Sequence, residues 1–399
     1  MRSRWRSRQA SGFVDESGVP EVNEGSKEIR VLVLWCDSRA ANFGLRVLAS
    51  GNAELVRRAL GDGEVVIDFQ DFGPGDSDVS FGTRSILRDL FRSRGPIKSK
   101  LRQYDLIVDS GAGDSFTDIY GLKRLAFIAY AHRAISRLGI PLVLAPQTIG
   151  PFNSWIGRMV GRRSLRQARL VMSRDSESSA YSAKLGRQAD VTATDVVFCL
   201  PSAAVASVPV YDVLVNVSGL LWFADDHVDS EKYRRQVTRL VVDLRERGRR
   251  PALLAHVIFS PSGHDDADAC RDLAHRIRHE HGFDIDVVVP ADLIEMRQVL
   301  AGASVVVGAR MHACLNAMSM GTPAVPWAYS RKFIPLMRDL GWTHAVDLRA
   351  DAEPVAKTIA LISEAPLEAE LECVRHAAQE RLDDAVRALA GAIPVEQAR

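Results

Sequence analysis

Short apolar runs alternate with amphipathic stretches along most of this chain. From residue 29 onward, segments rich in Val, Ile and Leu precede segments whose apolar positions recur every three or four residues, a pattern typical of parallel βαβ units. The pattern predicts two doubly wound, Rossmann-like domains that face a cleft. Strands are expected at residues 29–35, 65–69, 106–109, 142–145, 170–172, 213–217, 252–258, 285–289, 304–307 and 324–327, with helices between them such as 122–138 and 176–185.

Breaks in this pattern divide the chain into four parts. The stretch 201–209 is weakly patterned and rich in Ala, Ser and Val, which predicts a linker. A polar–apolar repeat over 367–389, ending at Gly391, predicts a helix that packs back on the domains or, alternatively, dimerises as a coiled coil. The predicted parts are a basic tail (1–28), a first domain (29–205), a second domain (206–345) and a C-terminal helical extension (346–399).

Composition and charge restrict the class of function. The chain has 399 residues, of which 47% are hydrophobic, so it can bury two cores. Its 51 Lys and Arg residues nearly balance 50 Asp and Glu residues, so no net field attracts nucleic acid, and we expect no nucleic-acid partner. Five scattered cysteines without a Cys-x-x-Cys pair favour a reducing, cytoplasmic compartment and argue against structural zinc.

Membrane insertion is not expected either, because no run approaches the roughly 18 apolar residues of a membrane span. The tail alternates arginines between positions 2 and 8 but lacks the apolar core of a signal peptide. It therefore predicts a disordered leader or, alternatively, a segment in peripheral contact with the anionic inner face of the membrane.

The segment 305–333 holds the strongest candidate site. Val305–Val307 predicts a buried strand that ends at Gly308, and a helical pattern follows. Arg310 and His312 therefore lie between the carboxyl end of a strand and the first turn of a helix, where open α/β sheets bind ligands. Arg310 can bind a carboxylate or phosphate, and His312 can transfer a proton near neutral pH. Alternatively, both side chains only cap and salt-bridge a loop.

Other strand ends carry groups suited to an anionic or polyhydroxyl ligand. Asp114 and Asp118 either orient sugar hydroxyls or cap the next helix. Arg174 either holds an anion or pairs with Asp175 or Glu177 at the surface. The remaining candidates at strand ends are Asn42, Gly113, Ser115, Gln147, His256 and Lys332.

Metal binding is not predicted. His275, His279 and Asp272 share one face of a predicted helix, but a solvated face explains them more simply than a metal site, since no strand-end ligand joins them. His264, Asp265 and Asp266 precede or begin the same helix, where they suit its dipole.

Taken together, these segments resemble the polysaccharide pyruvyl transferase family over about residues 31–342. The sequence departs from the family at Leu45, where an acidic residue often stands, and at Ala112 in the glycine loop, and both departures concern the acceptor side. The matching stretches are Asn42-Phe43-Gly44, GDSFTDIYG (113–121), PQTIGPF (146–152), Arg174-Asp175, Asp195, NVSGLLW (216–222), His256, RMHAC (310–314) and AYSRKF (328–333).

The resemblance implies a GT-B-like fold and an enzyme of exopolysaccharide biosynthesis. Such an enzyme transfers pyruvate from phosphoenolpyruvate to a diol of a sugar, oligosaccharide or lipid-linked glycan, forms a ketal and releases phosphate without a cofactor. His312 matches the catalytic histidine, and Arg310 is assigned with it. The predicted phosphoenolpyruvate ligands are Arg174, Arg310, Met311 and Lys332, and the predicted acceptor ligands are Asn42, Gly113, Asp114, Ser115, Asp118, Gln147 and His256.

Two other functions remain as alternatives. A GT-B glycosyltransferase that uses a nucleotide sugar is suggested by Gly321-Thr322-Pro323 after a helix, although no acidic residue stands between His312 and Gly321 to hold a ribose. The second alternative is a non-catalytic sugar-binding or scaffold protein. Against this alternative, the chain retains Arg174, Arg310 and His312.

Overall fold

The computed structural model describes residues 28–61, 63–73, 78–202, 209–259 and 264–393. The predictions for residues 1–27 of the tail and for 203–208 of the linker lie outside the described residues.

Twelve strands in the described part of the chain form two six-stranded sheets, and all pairings are parallel. The first sheet has the order β2-β1-β3-β4-β5-β6 and the second has the order β12-β11-β10-β7-β8-β9. The strands are β1 Ile29–Leu34, β2 Val65–Gln70, β3 Leu106–Asp109, β4 Leu142–Gln147, β5 Leu170–Ser173, β6 Val191–Thr192, β7 Tyr211–Asn216, β8 Pro251–Leu254, β9 Val287–Val288, β10 Ala303–Gly308, β11 Ala324–Ala328 and β12 Val346–Asp347.

Helices connect successive strands and cover both faces of each sheet, as parallel crossovers require. They are α1 Phe43–Leu60, α2 Thr83–Leu90, α3 Pro96–Leu101, α4 Leu122–Leu138, α5 Trp155–Gln167, α6 Ser176–Lys184, α7 Gly219–Phe223, α8 Ser230–Glu246, α9 Asp266–His281, α10 Leu293–Ala301, α11 Met311–Ser319, α12 Phe333–Asp339, α13 Pro354–Glu364 and α14 Leu367–Ala392. A short 3-10 helix spans Val196–Cys199.

This architecture confirms the predicted fold class of two Rossmann-like sheets with a helical C-terminal extension. The predicted strand at 252–258 is too long, because β8 ends at Leu254 and the backbone amides of His256 and Val257 donate to the Asp266 carboxylate instead. The two-residue edge strands β6 and β12 were not predicted, because their few apolar residues show little periodicity. The edge strand β9, expected over 285–289, spans only Val287–Val288.

Helix α14 runs along both halves of the molecule. Leu371 and Val374 near its start are buried in the core of the second sheet, whereas Leu382 and Leu389 are buried in that of the first. The helix continues through Gly391, where the sequence predicted its end. None of the helices in the described ranges combines the length and apolarity that crossing a bilayer would require.

The carboxyl ends of the two sheets meet across a cleft. Asn42, in the loop after β1, forms an antiparallel bridge with Val257, in the loop after β8. The amide of Phe43 donates to the His256 carbonyl at 3.4 Å, and that of Ile258 donates to the Ala41 carbonyl at 3.2 Å. The loops that were predicted to carry function therefore belong to one interdomain region.

Candidate active site

The start of α11 places Arg310 and His312 at the cleft. Arg310 is the N-cap residue, in an extended conformation, and its amide donates to the Asn216 side chain at the end of β7 (2.9 Å). The preceding strand turns sharply into the helix at Gly308, where an added Cβ would lie 2.6 Å from the Cys314 sulfur. This tight turn leaves His312 in the first helical turn.

The guanidinium of Arg310 forms an ion pair with Asp266, a fully buried residue at the start of α9. Nη2 donates to Asp266 Oδ1 at 2.6 Å, and Nε approaches both carboxylate oxygens. Burial lowers the pKa of Arg310, but the Asp266 carboxylate outweighs it and the net pKa is raised, so the cation is permanent. The ion pair that the alternative interpretation expected is thus present, and it orients Arg310 within the cleft.

Asp266 was predicted only to suit the dipole of α9, but in the structure it also binds Arg310 and two backbone amides. Asp265 is the residue that caps α9, accepting from the Asp268 amide. The Asp266 carboxylate instead accepts from Arg310 and from the amides of Gly219 and His256. Asp265 alone provides the cap of α9, so the second aspartate, Asp266, was a sequence signal for a further partner.

Arg174 comes from the other side of the cleft, at the end of β5. Its side chain is 1% exposed, its Nε donates to Thr148 Oγ1 at 2.9 Å, and its Nη1 donates to Asp195 Oδ2 at 3.2 Å. Its Nη2 is buried without a hydrogen-bond partner among the described residues. Such a group costs free energy unless a ligand satisfies it.

The surface pairing proposed as the alternative for Arg174 is wrong. Asp175 caps α6, and Glu177 lies 3.4 Å from Arg338. That interpretation paired Arg174 with acidic residues that follow it closely in sequence. In the structure the Arg174 side chain is buried instead and pairs with Asp195.

Asp195 joins the two domains at the centre of the site. Its Oδ2 lies 3.2 Å from Arg174 Nη1 and 3.4 Å from His312 Nε2. Burial raises the pKa of Asp195, but His312, Arg174 and the Val197 amide outweigh it and lower the pKa to about 2. Asp195 was recognised in sequence only as part of the family pattern, and no local signal indicated that it bridges these two side chains.

Helix α1 confines the other edge of the His312 ring. An added Cβ on Gly44 would lie 2.9 Å from His312 Nδ1 and 3.1 Å from Asn42 Oδ1. Asn42 caps α1 by accepting from the Gly44 amide at 2.9 Å. The Asn-aromatic-Gly motif therefore provides both the cap and the space that the ring occupies.

His256 lies close to Arg310 and His312 and is itself uncharged. Burial, together with the nearby His312 and Arg310, holds the pKa of His256 well below its usual range. Its ring packs edge-on against Phe43, and its Nε2 has no hydrogen-bond partner in the part of the chain that the structure describes. It is therefore a neutral imidazole, able to donate or accept one hydrogen bond.

Asp114 and Lys332 form a second contact across the cleft. Lys332 Nζ lies 2.7 Å from Asp114 Oδ2, which also accepts from the Tyr120 hydroxyl at 2.8 Å. Burial raises the pKa of Asp114, but the Lys332 and Arg174 charges outweigh it and lower the pKa to about 2. Asp114 is thus an ionised hydrogen-bond acceptor at neutral pH.

Three other predicted residues shape the loop after β3. Gly113 has φ +80°, and its carbonyl accepts from the Thr148 amide at 2.9 Å. Ser115 is buried, and its amide donates to the Gly111 carbonyl. Gln147 is also buried, and an added Cβ on Gly111 would lie 1.6 Å from its Oε1, so the loop approaches this side chain as closely as only glycine permits.

Asp118 has a capping role, but at a helix other than the one expected. Its carboxylate accepts from the amides of Asn153 and Ser154 and from the Ser154 hydroxyl at 2.6–2.8 Å. It thereby supports the start of α5, rather than the start of the next helix, α4.

The three side chains that share a face of α9 have other contacts. Asp272 accepts from Trp222 Nε1 at 2.8 Å and from Arg276, while His275 and His279 stack on each other. Across the described ranges, no group of three or more His, Cys, Asp or Glu side chains is arranged to hold a metal ion.

A cavity of about 830 Å³ lies between the domains beside these groups. Asp114 and Thr148 line it from the first domain, and His227, Tyr329 and Lys332 from the second. Burial lowers the pKa of His227; the Asp226 carboxylate opposes this shift, and the Lys332 and Arg310 charges add to it, so the net pKa is lowered. Met311, also predicted as a ligand, is buried in the first turn of α11.

Comparison with known proteins identifies the family. The family model described as polysaccharide pyruvyl transferase matches residues 42–331. This chain belongs to the polysaccharide pyruvyl transferase family. The match includes Arg174, Arg310 and His312, and it assigns the chain to the enzymes of polysaccharide biosynthesis.

Similar proteins agree with this assignment. The amylovoran biosynthesis protein AmsJ of Erwinia amylovora is 23% identical over 304 residues, which cover 71% of each chain. Among solved structures, HepE of Anabaena in complex with UDP-glucose has a TM-score of 0.54 at 14% identity, covering 91% of this chain and 98% of its own.

UDP-GlcNAc 2-epimerase of Neisseria meningitidis bound to UDP-GlcNAc has a TM-score of 0.54 at 9% identity and covers 90% of this chain and 99% of its own. At these identities the likeness shows that this pyruvyl transferase family member has the GT-B fold, and nothing about its substrates.

Proposed function

We propose that this protein transfers the pyruvyl group of phosphoenolpyruvate to a diol of a sugar or glycan, forming a cyclic ketal and releasing phosphate. The observation that carries the proposal is the buried guanidinium of Arg174, whose Nη2 has no partner among the described residues, beside the His312–Asp195 pair. A small, highly charged donor would satisfy it.

The donor side is electrostatically suited to phosphoenolpyruvate. This molecule carries roughly three negative charges in a small volume, so its binding requires several fixed cations and backbone amides. Arg174 of the first domain pairs with Asp195, which lies 3.4 Å from His312 Nε2, and Arg310 caps the helix that carries His312 in the second domain. Lys332 lines the adjoining cavity, and Met311 begins α11, whose first backbone amides lack helical partners. Each of these cations already has one carboxylate neighbour, which orients it before the donor arrives.

Ketal formation requires a proton at the methylene carbon of the donor and two attacks at the adjacent carbon. We assign proton donation to His312, whose Nε2 lies 3.4 Å from Asp195 Oδ2 and has no hydrogen-bond partner among the described residues. One hydroxyl of the acceptor then adds to the cationic carbon, the C–O bond to phosphate breaks, and the second hydroxyl closes the ring. Of the two hydroxyl protons released, one restores His312 and the other leaves with phosphate. No redox step occurs, so the proposal includes no cofactor.

The acceptor is assigned to the interdomain cavity. Its volume of about 830 Å³ accommodates a sugar ring with its neighbours. Ionised Asp114 lines this cavity and can accept from sugar hydroxyls. Neutral His256 does not line the cavity, and its unpartnered Nε2 can hydrogen-bond a hydroxyl that reaches deeper into the cleft. Gly113, Ser115, Gln147 and Asp118 support the loop that carries Asp114 through the contacts described above. Asn42, the remaining proposed acceptor ligand, lies outside this wall, where it caps α1 beside Gly44.

A nucleotide-sugar glycosyltransferase is the competing function. Proteins of this fold occur in complex with UDP-glucose, but the likeness is one of fold alone. Helix α11 carries no carboxylate that could hold the donor ribose, and Asn316 on it accepts from Arg297. The site therefore favours phosphoenolpyruvate.

The decisive experiment is phosphate release from phosphoenolpyruvate with a panel of sugar acceptors, followed by mass analysis. We expect a product heavier than the acceptor by one pyruvate minus one water. Transfer of a sugar from a nucleotide donor, without phosphate release from phosphoenolpyruvate, would instead establish the glycosyltransferase.

A further inference from the structure

Two neighbouring helix starts expose apolar side chains on the first domain. Trp155 is 67% exposed and Met159 is 55% exposed on α5, and Tyr120 is 45% exposed just before α4. We define the cleft-side patch as Ile119, Tyr120, Leu122, Trp155, Ile156 and Met159, each of which is more than one-third exposed. Grouped exposure of this kind marks an interaction surface more often than scattered exposure does.

The patch is held together by the fold. Asp118 accepts from the amides of Asn153 and Ser154, which joins the segment before α4 to the start of α5. The two helices pack side by side on one face of the first sheet. Ile119 and Tyr120 also line the interdomain cavity, so the patch adjoins the cavity mouth.

The charges that α4 and α5 place around these apolar residues are all positive, and the adjacent Asp118 carboxylate is engaged by Asn153 and Ser154. Helices α4 and α5 each contain four Lys or Arg residues and no Asp or Glu, although the whole chain is nearly neutral. Lys123, Arg158, Arg162, Arg163 and Arg166 are exposed on them.

Helix α8 of the second domain provides the contrast. Its exposed Arg235 lies 2.8 Å from Glu231, and Arg239 lies within 4 Å of Asp243 and Glu353. The cationic helices of the first domain therefore differ from an ordinary charged surface, where both signs are interspersed.

We propose that the cleft-side patch docks this protein onto an anionic lipid bilayer. Trp155 and Met159 enter the interfacial layer, where tryptophan is favoured, and the flanking arginines contact lipid phosphates. A second copy of the chain is a poorer occupant, because a two-fold interface would bring each cationic face against itself. The docking does not depend on the identity of the transferred group.

The test is flotation of the full-length protein with vesicles of phosphatidylcholine, with and without phosphatidylglycerol. We expect binding to the anionic vesicles that weakens as salt is raised. Trp155→Ser/Met159→Ser should weaken binding at least about ten-fold, through lost apolar insertion. Arg163→Gln/Arg166→Gln should weaken it by about ten- to thirty-fold, since each basic residue near an anionic surface contributes on the order of 1 kcal/mol.

Matched controls come from the second domain. Val210 and Ile294 are as exposed as Trp155, so Val210→Ser/Ile294→Ser tests the loss of apolar surface elsewhere. Arg235→Gln/Arg239→Gln tests the loss of charge elsewhere. Both control variants should bind vesicles as the wild type does, and equal losses in the controls would overturn the proposal.

A spectroscopic measurement identifies the inserted residue. Trp35, Trp222, Trp327 and Trp342 are buried, so in a Trp5→Phe background Trp155 is the exposed tryptophan of the described chain. Vesicles with brominated acyl chains should quench its emission. The absence of quenching would overturn the proposal. So would vesicle binding that is lost only when the four arginines at positions 2, 4, 6 and 8 are changed to glutamine. Self-association that the Trp155 variant abolishes, in a protein that does not bind vesicles, would overturn it as well.

Discussion

At the scale of single residues, His312 has contacts suited to proton transfer. Asp195 lies at its Nε2 and Gly44 at its Nδ1, and the side chain is 16% exposed. His312→Gln keeps the size and the hydrogen-bonding capacity but cannot exchange a proton near neutral pH. We expect turnover to fall about 100-fold or more while phosphoenolpyruvate still binds.

Single-turnover phosphate release, measured beside donor binding by calorimetry, tests this expectation, and circular dichroism verifies the fold. Wild-type turnover in the variant would remove His312 from catalysis. Equal loss of binding and turnover would make His312 a donor ligand instead.

Asp195 gives a prediction about stability and pH. Its folded-state pKa of about 2 lies below the unfolded value of about 3.9. The resulting stabilisation, on the order of 2 kcal/mol, is therefore complete above about pH 5 and is lost as the pH falls through the folded-state pKa of about 2. Asp195→Asn removes the titrating carboxyl group. The difference in the free energy of unfolding between wild type and variant should therefore shrink by about 2 kcal/mol as the pH is lowered through this range.

Urea denaturation of both proteins from pH 6 down to the lowest pH at which both remain folded provides the measurement. Asp229→Asn is the control, because this exposed residue caps α8 away from the site. If the difference in unfolding free energy between wild type and Asp195→Asn stays constant with pH, Asp195 does not have a lowered pKa.

At the scale of elements, α1 and α11 meet at His312. Gly44→Ala would place a methyl group 2.9 Å from His312 Nδ1, closer than side-chain carbons normally approach. We expect the ring to shift and turnover to fall about ten-fold or more, since small displacements at a reacting centre are costly.

Gly391→Ala is the matched control, because the same substitution in α14 meets no atom within 4 Å. It should stabilise the protein by about 0.5–1 kcal/mol through helix propensity and leave turnover unchanged. Steady-state kinetics and thermal melts of both variants test the pair. Unaltered turnover in Gly44→Ala would show that the ring position is not critical.

At the scale of the whole molecule, the donor should stabilise the closed arrangement of two domains. Arg174 belongs to the first domain and Arg310 to the second, so a ligand that contacts both stabilises the native state only. We expect phosphoenolpyruvate at about 100 times its Kd to raise Tm by about 3 °C. Nucleotide sugars should cause no shift.

Differential scanning fluorimetry tests this expectation, with inorganic phosphate as the control for binding of any anion. A shift with UDP- or GDP-sugars but none with phosphoenolpyruvate would favour the glycosyltransferase.

The fold class and the loops that form the site could be predicted from local sequence patterns alone. Buried parallel strands read as β-branched apolar runs and amphipathic helices as 3.6-residue repeats, and both signals are local. The ends of β5 and β10 could thus be located, and with them Arg174, Arg310 and His312. Edge strands of two residues, such as β6, were too short to show any period.

The pairing of these side chains could not be predicted in the same way, because it depends on the packing of the two domains. Asp195 meets Arg174 and His312 from distant parts of the chain, and Asp266 meets Arg310 across 44 residues. Contacts of this kind depend on how two sheets face each other, which no periodicity encodes. The same holds for the cleft-side patch, because burial of one helix face and exposure of the other follow from the neighbours that the fold supplies.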